Sequence, residues 1–400
     1  MNKVLDRSEL AAMVKAGMVH AKAHTIAKAP SVMKVAAKTY YDPAIFDAEV
    51  ARIFRRVPLL LAVTAEMAKP GDFKTIDAAG VPVLISRGQD GVARAFVNSC
   101  SHRGTAVATE THGNARRFVC PYHGWTFTQK GELMGVASAE DFGEIDKSCY
   151  GLIPLRVTER AGLIWGILDP ASTLSFDTFL AGYDKILEHF GFEDWHFFES
   201  RVIPGPNWKI AYDGYLDFYH LPVLHKNTFG ENMSNQANYY AWGPHQRVQA
   251  PDRDMGVFEE MPEAEWPVEA MLNGVWTIFP HVSIASFQGG GRAVMISQLL
   301  PGADVGTSFT TQMYLTRNVP TAEQVEEATA QFKFLEHVVR DEDYSTGFRQ
   351  QVALKNGGRD HVLFGENEGG AQSFHKWVAT LIQTEDADLD GLFAGGLPKP

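Results

Sequence analysis

Two short motifs, each with one cysteine and one histidine, constrain the fold of this chain more than any other feature. Cys100 and His102 form a C-x-H motif, and Cys120 and His123 form a C-x-x-H motif after the 17 residues from 103 to 119. Thiolate and imidazole groups together suit zinc or the iron of an iron–sulfur cluster. If the motifs lie at the tips of two hairpin-like loops, the fold has to bring both loops together around metal.

The order of these ligands distinguishes between the metals. Structural zinc sites more often pair like with like along the chain, whereas here each loop supplies one cysteine and one histidine. That order lets the two cysteines hold one iron and the two histidines the other, which is the ligand split of a Rieske [2Fe–2S] centre. Gly104 and Gly124 permit close backbone approach to a cluster, and Trp125 can shield it from water. A structural zinc site, or unconnected core cysteines and surface histidines, are the alternatives.

Both loops also resemble a known family. The segments NSCSHRGTAVATE and CPYHGWTFTQKGEL are similar to the two Rieske loops of ring-hydroxylating oxygenases. The resemblance implies that Cys100, His102, Cys120 and His123 bind a [2Fe–2S] cluster. The remaining cysteine, Cys149, has no partner motif, so we expect it to be an ordinary buried thiol.

A second set of metal-type residues stands about a hundred residues downstream, in NWKIAYDGYLDFYHLPVLHKNTFG. Asp217 and His220 have the i,i+3 spacing of one helix face, within a helical stretch predicted near residues 208 to 221. Pro222 should then disrupt the helix so that His225 swings back toward His220. Two imidazoles and a carboxylate on one side of Fe(II) leave positions open for dioxygen and substrate, as in non-haem oxygenases.

This string resembles the D-x2-H-x4-H motif of the same oxygenase family. The resemblance implies that His220 and His225 are iron ligands, while Asp217 is a bridging residue for electron transfer between subunits rather than a ligand. One departure is visible, because the family usually has Glu-Asn where this chain has Asp213-Gly214.

The third iron ligand should be a carboxylate far along the chain. Thr321 opens a helix with a capping-box pattern, and the helix carries an apolar face that includes Phe332. At about 100° per residue, Asp343 lies within roughly 20° of Phe332, whereas Asp341 points about 180° away and Glu342 about 80° away. The segment VVRDEDYSTGFRQQ also resembles the ligand helix of the family. We therefore predict Asp343 as the ligand, and Asp341 and Glu342 as parts of a solvated charge run.

The pattern of segments predicts an α+β protein. Residues 7 to 56 read as helical with a break at Pro30, and Gly-punctuated segments rich in β-branched residues follow from about Pro58 to Leu155. We expect an N-terminal helical segment (1–45) that packs on the catalytic domain, an antiparallel β Rieske domain (46–168), and a catalytic mononuclear iron domain (169–400) with an antiparallel sheet covered by helices. Gly289 to Gly291 read as a hairpin turn, because the spacing lacks a nucleotide-binding pattern.

Charge and composition exclude several partners. Lys and Arg number 36 against 48 Asp and Glu, and no run of Lys or Arg longer than two is present, so a nucleic-acid partner is not expected. The longest apolar run falls far below the roughly 20 residues that a membrane helix needs. Three cysteines fit no disulfide scaffold, which favours a reducing, cytoplasmic location.

The resemblance implies an oxygenase catalytic (α) subunit that uses dioxygen to hydroxylate or oxidatively demethylate its substrate at Fe(II). No flavin or nicotinamide motif is present, so electrons from NAD(P)H should arrive through a separate reductase, with or without a ferredoxin. The family further implies a homotrimer, a small β subunit in some members, and a place in aromatic hydrocarbon catabolism.

Apolar residues around the iron motif suggest an apolar, ring-containing substrate. The pocket candidates are Leu216, Phe218, Leu221, Val223 and Phe287, with ordinary core packing as the alternative for each. Arg292 is either a surface residue or a partner for a substrate carboxylate. Two other functions remain open: a Rieske electron-transfer protein without oxygenase activity, and a zinc-stabilised structural protein.

Overall fold

The computed structural model describes residues 5–230, 233–251, 255–259 and 261–397. The chain divides into two compact units. One unit contains Phe54–Phe176 and Phe192–Asp194, and the other contains Met1–Ile53, Asp177–Gly191 and Trp195–Pro400. The first unit carries both Cys/His motifs, and the second carries the downstream Asp and His residues.

Strands form the sheets of the first unit and the central sheet of the second. In chain order they are β1 Met33–Ala36, β2 Leu59–Val63, β3 Asp72–Ala78, β4 Val81–Arg87, β5 Ala93–Val97, β6 His112–Asn114, β7 Arg117–Val119, β8 Thr126–Thr128, β9 Leu133–Gly135, β10 Pro154–Arg160, β11 Leu163–Ile167, β12 His196–Gly205, β13 Asn238–Trp242, β14 His245–Gln249, β15 Val275–Ile278, β16 Val282–Gln288, β17 Arg292–Pro301, β18 Ser308–Thr316 and β19 His361–Phe364.

Helices are longest in the second unit. The α-helices are α1 Ser8–Ala23, α2 Pro43–Glu49, α3 Ala139–Phe142, α4 Phe176–Leu180, α5 Tyr183–Leu187, α6 Trp208–Asp213, α7 Leu221–Leu224, α8 Gly256–Glu259, α9 Val268–Met271, α10 Ala322–His337, α11 Ser345–Lys355, α12 Gly369–Leu381 and α13 Leu389–Gly395. Within the described ranges, two segments form π-helices, Val50–Phe54 and Val338–Tyr344. Short 3-10 turns cover Ala37–Tyr40, Thr64–Met67, Lys147–Cys149, Glu188–Phe190, Phe192–Asp194, Glu263–Glu265 and Asp386–Asp388.

The first unit is an antiparallel β-structure. Its large sheet has the order β2-β11-β10-β5-β4-β3-β6, and β7, β8 and β9 form a separate three-stranded sheet. Between them lies a core of aromatic and aliphatic side chains that includes Phe96, Phe118 and Phe127. Both metal-type cysteines belong to this core, so the candidate metal site lies in the buried interior of the unit.

The second unit is built on an antiparallel sheet of order β12-β18-β17-β16-β15-β14-β13. Helix α10 packs on β17 and β18 through Phe332 and Leu335, which contact Met295 and Tyr314. Thr321 caps this helix through the predicted capping box with Gln324. The α+β class, with a helix-covered antiparallel sheet, is confirmed, and Gly289–Gly291 lie in the predicted β16–β17 turn.

The helical reading of residues 7 to 56 is wrong in part. Helix α1 ends at Ala23, and Met33–Ala36 forms strand β1, which pairs with β19 from Ala36↔His361 to Met33↔Phe364. Because β19 lies more than 300 residues away in sequence, no local pattern could show that its backbone pairs with this segment. Among the described residues, no helix combines the length and apolarity that a bilayer span requires.

Candidate metal centres and the adjoining cavity

The first Cys/His loop follows β5 and is closed by two backbone hydrogen bonds. The N–H of Cys100 donates to the carbonyl of Thr105 at 2.8 Å, and the N–H of Gly104 donates to the carbonyl of Cys100 at 2.8 Å. Gly104 has φ of 82°, a left-handed conformation that favours glycine. The loop therefore turns back tightly just after its metal-type residues.

The second loop, between β7 and β8, repeats the same pattern. The N–H of Cys120 donates to the carbonyl of Trp125 at 2.8 Å, and the N–H of Gly124 donates to the carbonyl of Cys120 at 3.0 Å. Gly124 also has a positive φ, 70°, and a Cβ there would lie 3.2 Å from the Cβ of Ala137. Two loops of one geometry thus present one cysteine and one histidine each.

The histidines of the two loops meet. The ring centroids of His102 and His123 are 4.6 Å apart, and Trp125 stacks on His102 at 4.9 Å with an interplanar angle of 7°. The Nδ1 atom of His102 is buried without a hydrogen-bond partner. Since buried polar atoms are nearly always satisfied, an unpaired nitrogen on a ring that lies beside a second histidine fits a metal ligand.

The two cysteines of the motifs lie near each other in the core, because both belong to one cluster of buried side chains. Cys100 and Cys120 are buried free thiols, and burial raises the pKa of the Cys100 thiol above its usual value, to which the Cys120 thiol also contributes. The prediction for Cys149 is wrong, since its side chain is exposed. Cys149 ends a 3-10 turn on the surface, with its Sγ 3.6 Å from Oδ2 of Asp146.

The donor set fits a two-iron cluster better than one zinc ion. A single tetrahedral zinc would draw all four ligand atoms to within 2.0–2.3 Å of one point. Within the part of the chain that the structure describes, only one set of three or more such side chains has its ligand atoms within 4.8 Å of one another, and it lies in the other unit. The observed pair of cysteines and pair of histidines match a Rieske cluster instead, in which each pair binds a different iron.

That other set is His220, His225 and Asp343. The Oδ1 atom of Asp343 lies 3.2 Å from Nε2 of His225 and 3.9 Å from Nε2 of His220. The structure therefore brings together the three residues that the sequence assigns to mononuclear iron. Two imidazole nitrogens and one carboxylate facing a common point form the donor set of a facial triad.

Each of these imidazoles is held from behind by a second carboxylate. Nδ1 of His220 donates to Oδ1 of Asp217 at 3.0 Å, and Nδ1 of His225 donates to Oε2 of Glu342 at 2.7 Å. Both bonds leave Nε2 directed at the common point, which fixes the tautomer that a metal needs. Burial lowers the pKa of both histidines, but these carboxylates and Asp343 outweigh it, so both pKa values are raised. The accumulated negative charge favours a bound cation.

The histidine segment is not the kinked helix that the sequence suggested. Helix α6 ends at Asp213, and His220 and His225 flank a separate one-turn helix, α7. Pro222 lies in the first turn of α7, where its missing N–H costs no hydrogen bond, so it starts a helix rather than breaking one. His220 and His225 reach the site as the residues before and after this turn.

Asp343 stands on a π-helix, Val338–Tyr344, that continues α10. The 100° count is therefore invalid beyond His337, although Asp343 does reach the site. The assignment of Glu342 to a solvated charge run is wrong: Glu342 contacts His225 and also accepts a hydrogen bond from Oγ1 of Thr228 at 2.9 Å. The wider π turn presents two successive carboxylates to the histidines, and such bulges are common at functional sites. Asp341 is exposed and paired with Arg340, as expected.

The two residues that differ from the family pattern, Asp213 and Gly214, have different surroundings. Asp213 accepts a hydrogen bond from the Tyr40 hydroxyl at 3.0 Å and pairs with Nε2 of His375 at 2.9 Å. Gly214 lines the cavity beside the iron motif. Asp213 thus ties the histidine segment to the N-terminal region through Tyr40 and to α12 through His375.

A cavity of about 140 Å³ opens onto His220, His225 and Asp343. Of the predicted pocket residues, Phe218, Leu221 and Phe287 line it, together with Met295, Leu335 and other apolar side chains. Leu216 is fully buried outside the lining, and Val223 is 75% exposed. Arg292 pairs with Glu269 at 2.9 Å and does not line the cavity.

Two family profiles match the chain. One, described as "Rieske [2Fe-2S] domain", matches residues 58–145, and the other, described as "Ring hydroxylating alpha subunit (catalytic domain)", matches residues 192–384. The chain belongs to the Rieske ring-hydroxylating oxygenase α subunits. The domains of this family carry a [2Fe–2S] cluster and a mononuclear iron, and the donor sets described above fit both.

Curated relatives of this α subunit act on diverse substrates. It is 31% identical to the glycine betaine monooxygenase oxygenase subunit of Chromohalobacter salexigens, over 46% of this chain and 42% of that protein. It is 30% identical to the anthranilate 1,2-dioxygenase large subunit of Acinetobacter baylyi, over 49% and 43%. It is 34% identical to chlorobenzene dioxygenase subunit alpha of a Cupriavidus species, over 46% and 42%. These alignments span less than half the length of the relatives.

Solved structures share the fold over most of the chain. A quaternary ammonium Rieske monooxygenase in complex with L-carnitine superimposes with a TM-score of 0.73 at 23% identity, over 88% of this chain and 97% of that one. Naphthalene 1,2-dioxygenase from a Rhodococcus species, bound to indole, gives 0.73 at 19% identity, over 94% and 99%.

Proposed function

We propose that this chain is the oxygenase component of a multicomponent system, which takes electrons from a separate reductase and uses dioxygen to hydroxylate or oxidatively demethylate an apolar, ring-containing substrate. The observation that carries the proposal is the set of His220, His225 and Asp343 at the wall of an apolar cavity. A protein that only transferred electrons would not need a second metal-type set beside a cavity.

The ligand assignments follow from the donor atoms. Cys100 and Cys120 hold one iron of the cluster, His102 and His123 hold the other, and His220, His225 and Asp343 hold the mononuclear iron. When bound, the cluster supplies electrons and the mononuclear iron supplies dioxygen activation.

The residues around the iron set its shape and its surroundings. Asp217 and Glu342 hold the two imidazoles so that Nε2 faces the metal, because each accepts the Nδ1 proton. The apolar cavity wall, with Phe218, Phe287 and Met295, excludes water and packs against an apolar substrate. Orientation and dryness are thus the contribution of the chain.

Electron transfer is proposed to run between neighbouring chains. In a closed head-to-tail homotrimer, Asp217 would accept a hydrogen bond from its own His220 and from His102 or His123 of the next chain. The first of these bonds is present within the chain, at 3.0 Å. The reductase, a ferredoxin or a small β subunit would be further partners. The free thiols fit a cytoplasmic location, and aromatic catabolism remains the proposed context.

The test is a single-turnover experiment with the iron-loaded protein. The cluster is reduced chemically, and the protein is mixed with isotopically labelled dioxygen and a panel of neutral arenes. Labelled oxygen in a product, formed with re-oxidation of the cluster, supports the oxygenase. Re-oxidation without product from any substrate, in protein that contains the mononuclear iron, supports an electron-transfer protein and contradicts the proposal.

A further inference from the structure

The cavity wall formed by the sheet is polar in one row and apolar in the next. Gln312 on β18, Ser297 on β17 and Ser283 on β16 are direct cross-strand neighbours, and all three line the cavity although each is at most 3% exposed. The next row toward the β16–β17 turn contains Ala285 and Met295. A polar row on a buried, otherwise apolar face needs hydrogen-bond partners.

The side-chain amide of Gln312 has a fixed orientation. Arg201 lies opposite it on β12, and Nε of Arg201 donates to Oε1 of Gln312 at 2.8 Å. Arg201 is held in turn by the carbonyl of Phe332 and by Glu336. Since a guanidinium can only donate, the amide oxygen has to face Arg201, and the NH2 group is turned the other way. Across the described ranges, no acceptor for that NH2 group is present at hydrogen-bonding distance.

A second polar group in the same cavity is also unused. The hydroxyl of Tyr215 is buried near Ser297 and Tyr344 but forms no hydrogen bond of normal geometry with a described residue. The cavity therefore offers at least one amide donor and a hydroxyl to a bound molecule.

The charged groups that line the cavity restrict the charge of the substrate. Among the described residues that line the cavity, the carboxylates and imidazoles are those of Asp217, His220, His225 and Asp343, and Lys and Arg are absent. A substrate carboxylate would find no cation there. A quaternary ammonium group would find only carboxylates that already contact histidines. Burying an unpaired charge costs more than burying a neutral group of the same size.

We propose that the substrate is a neutral, largely apolar molecule with a hydrogen-bond acceptor such as a carbonyl oxygen, and that Gln312 determines this specificity. This inference rests on the proposed function, because it places the substrate in the cavity beside the iron. The NH2 group of Gln312 donates to the acceptor, while the rest of the substrate packs on Met295, Ala285 and Phe287.

The experiment compares two probes of similar size, indan-1-one, which has a carbonyl, and indane, which lacks it. Dissociation constants are measured on the iron- and cluster-loaded protein, and product formation is measured separately with reductant and dioxygen. The wild type should bind indan-1-one at least about fivefold more tightly than indane, the size of one neutral hydrogen bond. Glycine betaine and L-carnitine should neither bind nor be converted.

Two variants locate the effect. Gln312→Met removes the NH2 donor, but it also removes the acceptor that contacts Arg201. Gln312→Glu is the sharper change, because its carboxylate keeps the Arg201 contact and lacks the NH2 group. Both should abolish the preference for indan-1-one, with indane affinity within about threefold of wild type after loss of one hydrogen bond. Thr311→Val, which alters the neighbouring residue on the opposite sheet face, is the matched control and should keep the preference.

The outcomes separate this inference from the proposed function. Equal binding of the two probes by the wild type, a preference that survives Gln312→Glu, or conversion of betaine or carnitine would overturn the inference. If binding discriminates as predicted but neither these probes nor the panel of arenes yields product from iron-loaded protein, the specificity stands and the oxygenase proposal fails. If products form but the protein binds indan-1-one and indane equally, the oxygenase proposal stands and the specificity inference fails.

Discussion

The two candidate metal centres are built in opposite ways. In the Rieske unit, four ligand candidates come from two loops with the same pair of backbone hydrogen bonds, and the chain between them is short. In the catalytic unit, His220 and His225 flank one helical turn, while Asp343 comes from a π-helix more than a hundred residues later. The first centre is set by local turns, whereas the second depends on long-range packing and on carboxylates behind its histidines. The cluster site, which is built from local loops, should therefore tolerate substitutions elsewhere in the chain. The mononuclear site, which is built from distant segments, should be more sensitive to them.

The largest expected effect is the loss of one metal centre without any change in the other. Asp343→Ala removes the only carboxylate of the proposed triad, so the protein should lose the mononuclear iron and all turnover. The visible spectrum of the Rieske cluster should not change. Iron analysis and absorption spectroscopy measure the two sites independently.

The matched control for that change is Asp341→Ala, two residues away on the same π-helix. Asp341 is exposed and bonded to Arg340 and His337, so its loss should leave iron content and turnover near wild type. Loss of iron in this variant with retention in Asp343→Ala would reverse the assignment.

A second change tests whether the two centres communicate through Asp217. Asp217→Asn should keep the fold, the cluster and most of the mononuclear iron, because the amide oxygen still accepts the proton from Nδ1 of His220. Oxidation of the reduced cluster in single turnover should nevertheless nearly stop. Stopped-flow absorption would follow it, and wild-type kinetics, or a fully active monomer, would show that electrons take another route.

The smallest expected effect concerns Glu342, which the sequence did not predict to matter. Glu342→Ala removes the acceptor for the Nδ1 proton of His225, so the affinity for Fe(II) should fall about 10–100-fold, as for other carboxylates behind metal-bound histidines. Chelator competition measures this affinity, with Asp341→Ala as the matched control. Equal affinities in the two variants would mean that Glu342 does not position His225.

The sequence predicted what short-range patterns specify. The capping box at Thr321 is present, and the two Cys/His loops and the His220–His225 turn have the tight local geometry that their spacings indicate. Asp343 also reaches the histidines, but only through long-range packing. The sequence did not predict strand β1, whose partner β19 is remote, or the π-helix that brings Glu342 to His225. Nothing local distinguishes Glu342 from its solvated neighbour Asp341; only the tertiary contact does.

Cys149 illustrates the same limit at the surface. A lone cysteine reads as buried because most are, but this one ends a surface turn beside Asp146. Gln312 shows the same limit in the interior. Its amide is oriented by Arg201, which lies opposite it on the neighbouring strand, and the sequence does not show which residues of the two strands pair.

The most direct test of this account is the metal content of the purified chain, measured together with acid-labile sulfide. One two-iron cluster and one mononuclear site predict about three irons and two sulfides per chain. That ratio, with the visible absorption of a Rieske cluster, would support both centres. Stoichiometric zinc without labile sulfide would contradict the account.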